Sequence, residues 1–227
     1  MRDLATPHAG ENFSGRLTAG LLVFGIPLVW AALLLFHPNP EGGAFEGTRD
    51  VVDRWLVVHV GQLVLAPFLV FAVWRLVDGL PYRAAMVSRA AAVFWAVFFT
   101  AYDSIQGIAT GLLIRYADGD LAGAEQAGVA RALDYLVSDS LLAGNVSAIG
   151  LISNAAWIAV AIGAAVALHK AGTGKWAVIA ACVSVLFVLH TAPAAVGLVA
   201  FAAAGVLRER QRASSGKVAG QAAISAS

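Results

Sequence analysis

The amino-acid sequence predicts an all-α membrane protein, a polytopic bundle of six transmembrane helices with its N- and C-termini in the cytoplasm. Of the 227 residues, 59% are hydrophobic and only 13% are charged, whereas about 25% of residues in soluble domains are charged. A soluble chain of this composition could not cover its apolar core, so the composition indicates a lipid environment. Two further observations support this class: long apolar windows with few charges, and an unequal distribution of Lys and Arg between them.

The apolar windows place the spans in order along the chain. The predicted spans are residues 17–36, 55–74, 90–114, 146–168, 174–190 and 194–209. The window 140–168 is free of charges but too long for one upright helix, and its front end is rich in polar residues. We therefore place the start of the fourth span at about residue 146.

The last apolar window, residues 176–207, is short for two spans of about 20 residues each. We interpret it as a tight hairpin, because the residue before Pro193 resists the helical conformation. One long tilted helix is the alternative. Residues 1–209 are expected to form a single transmembrane domain. Residues 210–227, rich in Ser, Gly, Ala and Gln, are expected to form a disordered cytoplasmic tail.

The basic residues set the expected orientation. Six spans put both termini on one side, and that side collects eleven of the 15 Lys and Arg residues. These eleven are Arg2, Arg16, Arg75, Arg83, Arg89, Lys170, Lys175, Arg208, Arg210, Arg212 and Lys217; the other four are Arg49, Arg54, Arg115 and Arg131. Because cytoplasmic loops carry the excess of basic residues, this division predicts cytoplasmic termini in a multi-pass protein of the inner cell membrane.

Composition and motifs exclude several classes of function. A net charge of +1 gives no electrostatic footprint for nucleic acid. The single cysteine, Cys182, excludes an internal disulfide and a cysteine-based metal cluster. The sequence contains no zinc-binding HExxH, no P-loop, no GxGxxG after a strand and no GxSxG. No metal site is predicted, and the cofactor and the oligomeric state are left open.

The third span carries the most informative residue, Asp103, near its middle. A carboxylate at this depth costs roughly 2.5–3.5 kcal/mol on insertion scales, so it is by default a candidate functional group. Thr100, Gln106 and Thr110 lie three or seven positions from Asp103 and therefore share its helical face. Gly107 and Gly111 form a small-xxx-small pair, which predicts that another helix approaches this span closely.

Other polar residues are predicted to meet Asp103 in the outer half of the bundle. On the second span, Trp55, His59, Gln62 and Ala66 recur at helical spacing, and Asn154 belongs to a similar stripe on the fourth span. His37 and His190 end the first and fifth spans on the same side. We predict that His59 and Asp103 face one interior cavity. The candidate site residues are Asp103 and His59 as catalytic groups, supported by Gln62, Thr100, Gln106, Asn154, His190 and His37.

A structural interpretation is available for several of these residues. His59 could donate a hydrogen bond to a backbone carbonyl or to Gln62, and His37 could be a solvated turn residue. His190 could cap a helix C-terminus, where an imidazolium is favoured. Asn154 and Gln62 could join helices by hydrogen bonds.

Three classes of function remain from the sequence. The first is a membrane-embedded enzyme that acts on an isoprenoid or lipid from the outer side, with Asp103 as general acid and His59 as its proton partner. The second is a proton-coupled transporter of a small solute, with Asp103 as the coupling site. The third is a structural subunit, in which His37, His59 or His190 could bind a metal or haem. The bilayer and a lipophilic small molecule are the expected partners, and nucleic acid is not.

Overall fold

A computed structural model describes residues 13–39, 41–142, 146–189 and 191–225. All regular secondary structure within these ranges is helical. The helices pack as a bundle around one main hydrophobic core, with a second, smaller cluster at one end. The predicted all-α class is confirmed.

Seven helices, several of them composite, make up the described part of the chain. Helix α1 comprises Phe13–Gly20, a π-helical turn at Leu21–Gly25 and Ile26–Leu35; α2 comprises Ala44–Thr48, a 3₁₀ turn at Arg49–Val51 and Val52–Leu76. Helix α3 comprises Arg83–Asp103, a π-helical segment at Ser104–Ala109 and Thr110–Asp120. Helices α4 and α5 are Gly123–Ser138 and Ala148–Lys170; α6 comprises Lys175–Val183 and a 3₁₀ segment at Ser184–Val188; α7 is Ala192–Ser225.

Five of these helices are long and apolar enough to cross a membrane. The qualifying segments are Leu17–Leu35, Ala44–Leu76, Arg83–Asp120, Ala148–Lys170 and Ala192–Ser215. The predicted fifth span corresponds to a shorter apolar helix, Lys175–Val188. Large apolar side chains such as Val57, Val64 and Phe71 are exposed on the bundle surface, which suits contact with lipid. Length and composition therefore support an integral, multi-pass membrane protein.

The break in the last apolar window occurs where the sequence predicts it. Helix α6 ends at Val188 and α7 begins at Ala192, next to Pro193. Thr191 has a φ of 62°, a left-handed conformation that interrupts a helix. Gly197 of α7 packs so closely on the backbone of Phe187 that a Cβ there would overlap it. The two elements therefore form a tight hairpin, not one long helix.

The C-terminal segment differs from the disordered tail expected from the sequence, because α7 continues to Ser225. Two side chains of α7, those of Glu209 and Arg212, hold this helix to the bundle. Glu209 accepts hydrogen bonds from the guanidinium of Arg75 at 3.1 and 3.0 Å. Arg212 donates to the carbonyl oxygens of Arg75 and Asp78 at 3.1 and 2.6 Å. These contacts join the C-terminal end of α2 to α7 and favour continuation of the helix.

Helix α4 lies in a region for which the sequence predicts no helix. Leu133 is buried with Phe45 and Ile114 in the smaller hydrophobic cluster, and the carboxylate of Asp134 accepts a hydrogen bond from the backbone N–H of Ala44 at 3.0 Å. Helix α4 therefore packs against the start of α2 and the end of α3, at the end of the bundle opposite the Arg75–Glu209 pair.

Candidate functional site

The close approach of α2 and α3 is the geometric basis of the candidate site. A Cβ on Gly107 would overlap the ring of His59, and a Cβ on Gly111 would lie 2.7 Å from a methyl group of Leu56. The predicted role of this glycine pair is therefore confirmed. Because neither glycine has a side chain, the His59 imidazole lies directly against the backbone of α3.

A π-helical segment begins immediately after Asp103 and includes Gly107. Such segments leave backbone carbonyls available for other donors and occur frequently at functional sites. Here the indole N–H of Trp55 donates to the Gly107 carbonyl at 2.8 Å, and the Thr110 hydroxyl donates to the Ile105 carbonyl at 3.1 Å. The Trp55 contact fixes α2 against the irregular part of α3.

His59 and Asp103 form the centre of the site. The Nδ1 atom of His59 lies 2.6 Å from Oδ1 of Asp103, and the two residues are only 8% and 3% exposed. Nδ1 donates the hydrogen when Asp103 is ionised, and Oδ1 donates it when Asp103 is protonated. The predicted meeting of these two residues is confirmed, and their geometry allows a proton to pass between them.

Both residues line a cavity of about 620 Å³, a size typical of sites for small organic molecules. The lining reaches one end of the bundle, which we call the cavity mouth. There it includes residues of the connection between α1 and α2 (Pro38, Asn39, Gly42), the start of α2 (Ala44, Thr48), the end of α4 (Val137) and the connection between α6 and α7 (Leu189, Thr191). The buried pair therefore lies inside the bundle, on a cavity that extends to this end.

The supporting residues predicted from the sequence mostly line the same cavity. His37, Gln62, Gln106 and Asn154 are all among its lining residues. The His37 ring packs against the rings of Trp55 and His59, with a centroid distance of 5.1 Å to each.

Thr100 and His190 are the two exceptions. Thr100 is not among the residues that line this cavity, and its supporting role stays a prediction. His190 lies outside the described residues.

Aromatic residues that sequence reasoning did not assign to the site form the deep wall of the cavity. We call this wall the aromatic floor; it consists of Trp30, Trp95, Phe99, Trp157 and Phe187. Their ring centroids lie 4.7 to 5.8 Å apart in contacting pairs such as Trp157–Phe187 and Trp95–Phe187. The sequence did contain a signal for two of them, since Trp95, Phe99 and Asp103 follow one another at four-residue spacing.

Several buried polar atoms at the site have no hydrogen-bond partner within the described part of the chain. They include Nε2 of His59, Oδ2 of Asp103, Oε1 of Gln106 and Nε1 of Trp30. Leaving such a group unpaired costs about 1–3 kcal/mol. All four residues line the cavity, so the polar groups of a bound ligand could form hydrogen bonds with these atoms.

The described residues contain no group of three or more His, Cys, Asp or Glu side chains that could hold a metal ion. The His37 and His59 rings contact each other, so a porphyrin could not be placed between them.

Comparisons of the chain with protein-family models, with curated proteins and with solved structures found no match. The fold and the site together describe an apolar helical bundle, compatible with an integral membrane protein, that contains a buried His59–Asp103 pair.

Proposed function

We propose that this protein is a membrane-embedded enzyme that uses His59 and Asp103 as an acid–base pair on a lipophilic substrate bound in the cavity. The observation that carries the proposal is the 2.6 Å hydrogen bond between two buried groups on the cavity wall. General acid–base catalysis requires a proton donor or acceptor held at the reacting group. Isomerisation, cyclisation or hydrolysis of an isoprenoid or lipid would use such a pair.

The two members of the pair have different roles in this proposal. Asp103 exchanges the proton with the substrate, and His59 supplies or removes the proton at Nδ1. His59 is held for this task by the ring contact with Trp55, at 4.5 Å between centroids, and by the close approach to Gly107. Gln62, Gln106 and Asn154 line the cavity and would orient the substrate.

The shape of the interior favours an enzyme over a proton-coupled transporter. A transporter needs a route for its solute from one face of the membrane to the other. Beyond the aromatic floor, the described core continues through the apolar side chains of Leu69, Val73, Leu76 and Leu168, each fully buried. This continuous apolar packing supports a pocket with one entrance.

We also propose the six-span topology with cytoplasmic termini. At about 1.5 Å per α-helical residue and 2.0 Å per 3₁₀ residue, α6 is roughly 23 Å long. It would therefore cross most of a hydrocarbon core that is about 30 Å thick. The end of the bundle with Arg75, Arg89 and Arg212 is the basic end, as expected for a cytoplasmic face. The cavity would then open to the extracytoplasmic side.

Cysteine labelling tests this topology in intact cells. In a Cys182→Ala background, Glu41→Cys and Glu125→Cys should react with a membrane-impermeant reagent, because both residues are exposed at the end of the bundle with the cavity mouth. Ser215→Cys, exposed on α7, should react only after the cells are permeabilised. Labelling of Ser215→Cys in intact cells would overturn the topology.

Native mass spectrometry of the detergent-purified protein, with elemental analysis, tests whether the cavity holds a lipophile. We expect one neutral lipophile to be retained. Asn154→Trp, which places a large ring in the cavity, should reduce its retention, whereas Leu151→Trp on the exposed face of α5 should not. Retention of bulk phospholipid alone, equal in both variants, would contradict binding in the cavity.

A further inference from the structure

The charges around the cavity restrict the ligand that it can take. Among the described residues that line it, the acidic and basic side chains are Asp103, His37 and His59, and there is no Lys or Arg. An anionic ligand such as a carboxylate or a diphosphate would therefore meet a carboxyl group without a fixed cation to pair with it. The lining favours a ligand that is neutral or positively charged.

The aromatic floor favours positive charge at a particular depth. At about 1.5 Å per residue, Phe99 and Trp95 lie roughly 6 and 12 Å below Asp103 on the same face of α3. Trp30 packs against both of these rings at centroid distances of 5.4 and 5.7 Å. The faces of aromatic rings attract cations through their quadrupoles, most strongly when water is excluded. Asp103, which can donate a proton, thus lines the same cavity as a group of rings able to stabilise positive charge.

We infer that the substrate is a neutral, lipophilic alkene that becomes a carbocation when the His59–Asp103 pair protonates it. This inference rests on the proposed acid–base function and specifies its substrate class. The electron pair of the double bond forms a new C–H bond with the proton from Asp103, and the adjacent carbon becomes positively charged over the aromatic floor. A carbon on the other side of the charged carbon then loses a proton to the His59–Asp103 pair, and the electrons of that C–H bond form a new double bond. The product is an isomer, and no co-reactant is consumed.

The number and arrangement of the rings distinguish the aromatic floor from the lining of a general apolar pocket. Trp95, Trp157 and Phe187 contact one another at centroid distances of 4.7 to 5.8 Å. The indole N–H of Trp157 donates to the Ser184 carbonyl at 2.9 Å, which holds that ring against α6. The floor is therefore fixed before the substrate binds, as electrostatic stabilisation of a transition state requires.

A binding experiment tests the preference for positive charge without requiring turnover. The probes are hexyltrimethylammonium, its all-carbon isostere and heptanoate, each titrated into protein in nanodiscs of zwitterionic lipid while tryptophan fluorescence is recorded. The measurement uses the Asp103→Asn variant, so that attraction to the carboxylate does not contribute. We expect the ammonium probe to bind about 10-fold more tightly than the isostere, and heptanoate to bind most weakly.

Substitution at Phe99 shows whether the rings cause the preference. In the same background, Phe99→Leu should reduce the preference for the ammonium probe over its isostere to about 3-fold or less. Phe99→Tyr, which keeps a ring, should retain the preference. Phe94→Leu is the matched control, because Phe94 is exposed on α3. Equal binding of the ammonium probe and its isostere, or tightest binding of heptanoate, would overturn the inference. It would leave the acid–base function standing, because that function is measured separately by proton transfer to lipid.

Discussion

Asp103→Asn is expected to leave the protein folded and to reduce its proton-transfer rate by about 10²–10⁴-fold, the range typical for loss of a general acid or base. The amide has nearly the same volume as the carboxyl group. Its oxygen can still accept a hydrogen bond from Nδ1 of His59, which lies 2.6 Å from Oδ1 of Asp103 in the unmodified protein. In the ionised state of Asp103, the substitution also removes the free-energy cost of a buried charge. The melting temperature in detergent should therefore be unchanged or higher.

Apolar substitutions at the same pair should give a different pattern. Asp103→Leu leaves Nδ1 of His59 buried without a partner, and His59→Leu does the same to Oδ1 of Asp103. Breaking a buried pair in this way costs about 3–5 kcal/mol, so both variants should melt at lower temperature. His59→Gln, which keeps hydrogen-bonding atoms, should be the milder change. A fully active Asp103→Asn protein would instead assign the pair a structural role.

Gly107→Ala is expected to destabilise the protein by about 1–3 kcal/mol, the usual cost of overpacking. The added Cβ would overlap the His59 ring, so the ring or α3 must move. Movement of α3 would also lengthen the 2.8 Å hydrogen bond from Trp55 to the Gly107 carbonyl. Thermal unfolding in detergent measures the loss.

Gly119→Ala is the matched control, since Gly119 lies on the same helix with no atom within 4 Å of the position of an added Cβ. Alanine favours a helix over glycine by about 1 kcal/mol, so this variant should be neutral or slightly more stable. Equal melting temperatures for Gly107→Ala and the unmodified protein would contradict the tight contact between α2 and α3.

The parts of the structure that follow from hydropathy could be predicted from the sequence. The apolar windows located the long helices to within a few residues at most ends, and helical spacing placed His59 and Asp103 in one interior. Both predictions depend on patterns within a single helix. Three helices extend well beyond their apolar windows, because their ends carry charged and polar residues: α2 begins at Ala44, α3 runs from Arg83 to Asp120, and α7 continues to Ser225.

Features that depend on contacts between distant segments could not be predicted in the same way. Helix α4 contains Glu125, Arg131 and Asp134, so a search for uncharged windows passes over it, although Leu133 buries it against α2 and α3. The π-helical segment after Asp103 is stabilised by the indole of Trp55, which comes from another helix. The aromatic floor likewise combines rings from α1, α3, α5 and α6.

The most direct test of the proposed chemistry is the transfer of solvent deuterium to carbon. Protein in nanodiscs is incubated in D₂O with the lipid extract of its host cells, and the extract is analysed by mass spectrometry after exchangeable positions are returned to hydrogen. We expect a neutral lipid to gain carbon-bound deuterium with the unmodified protein, and this gain to be about 10²–10⁴-fold slower with Asp103→Asn. Deuterium incorporation at equal rates in the two proteins, or in neither, would contradict acid–base catalysis by the His59–Asp103 pair.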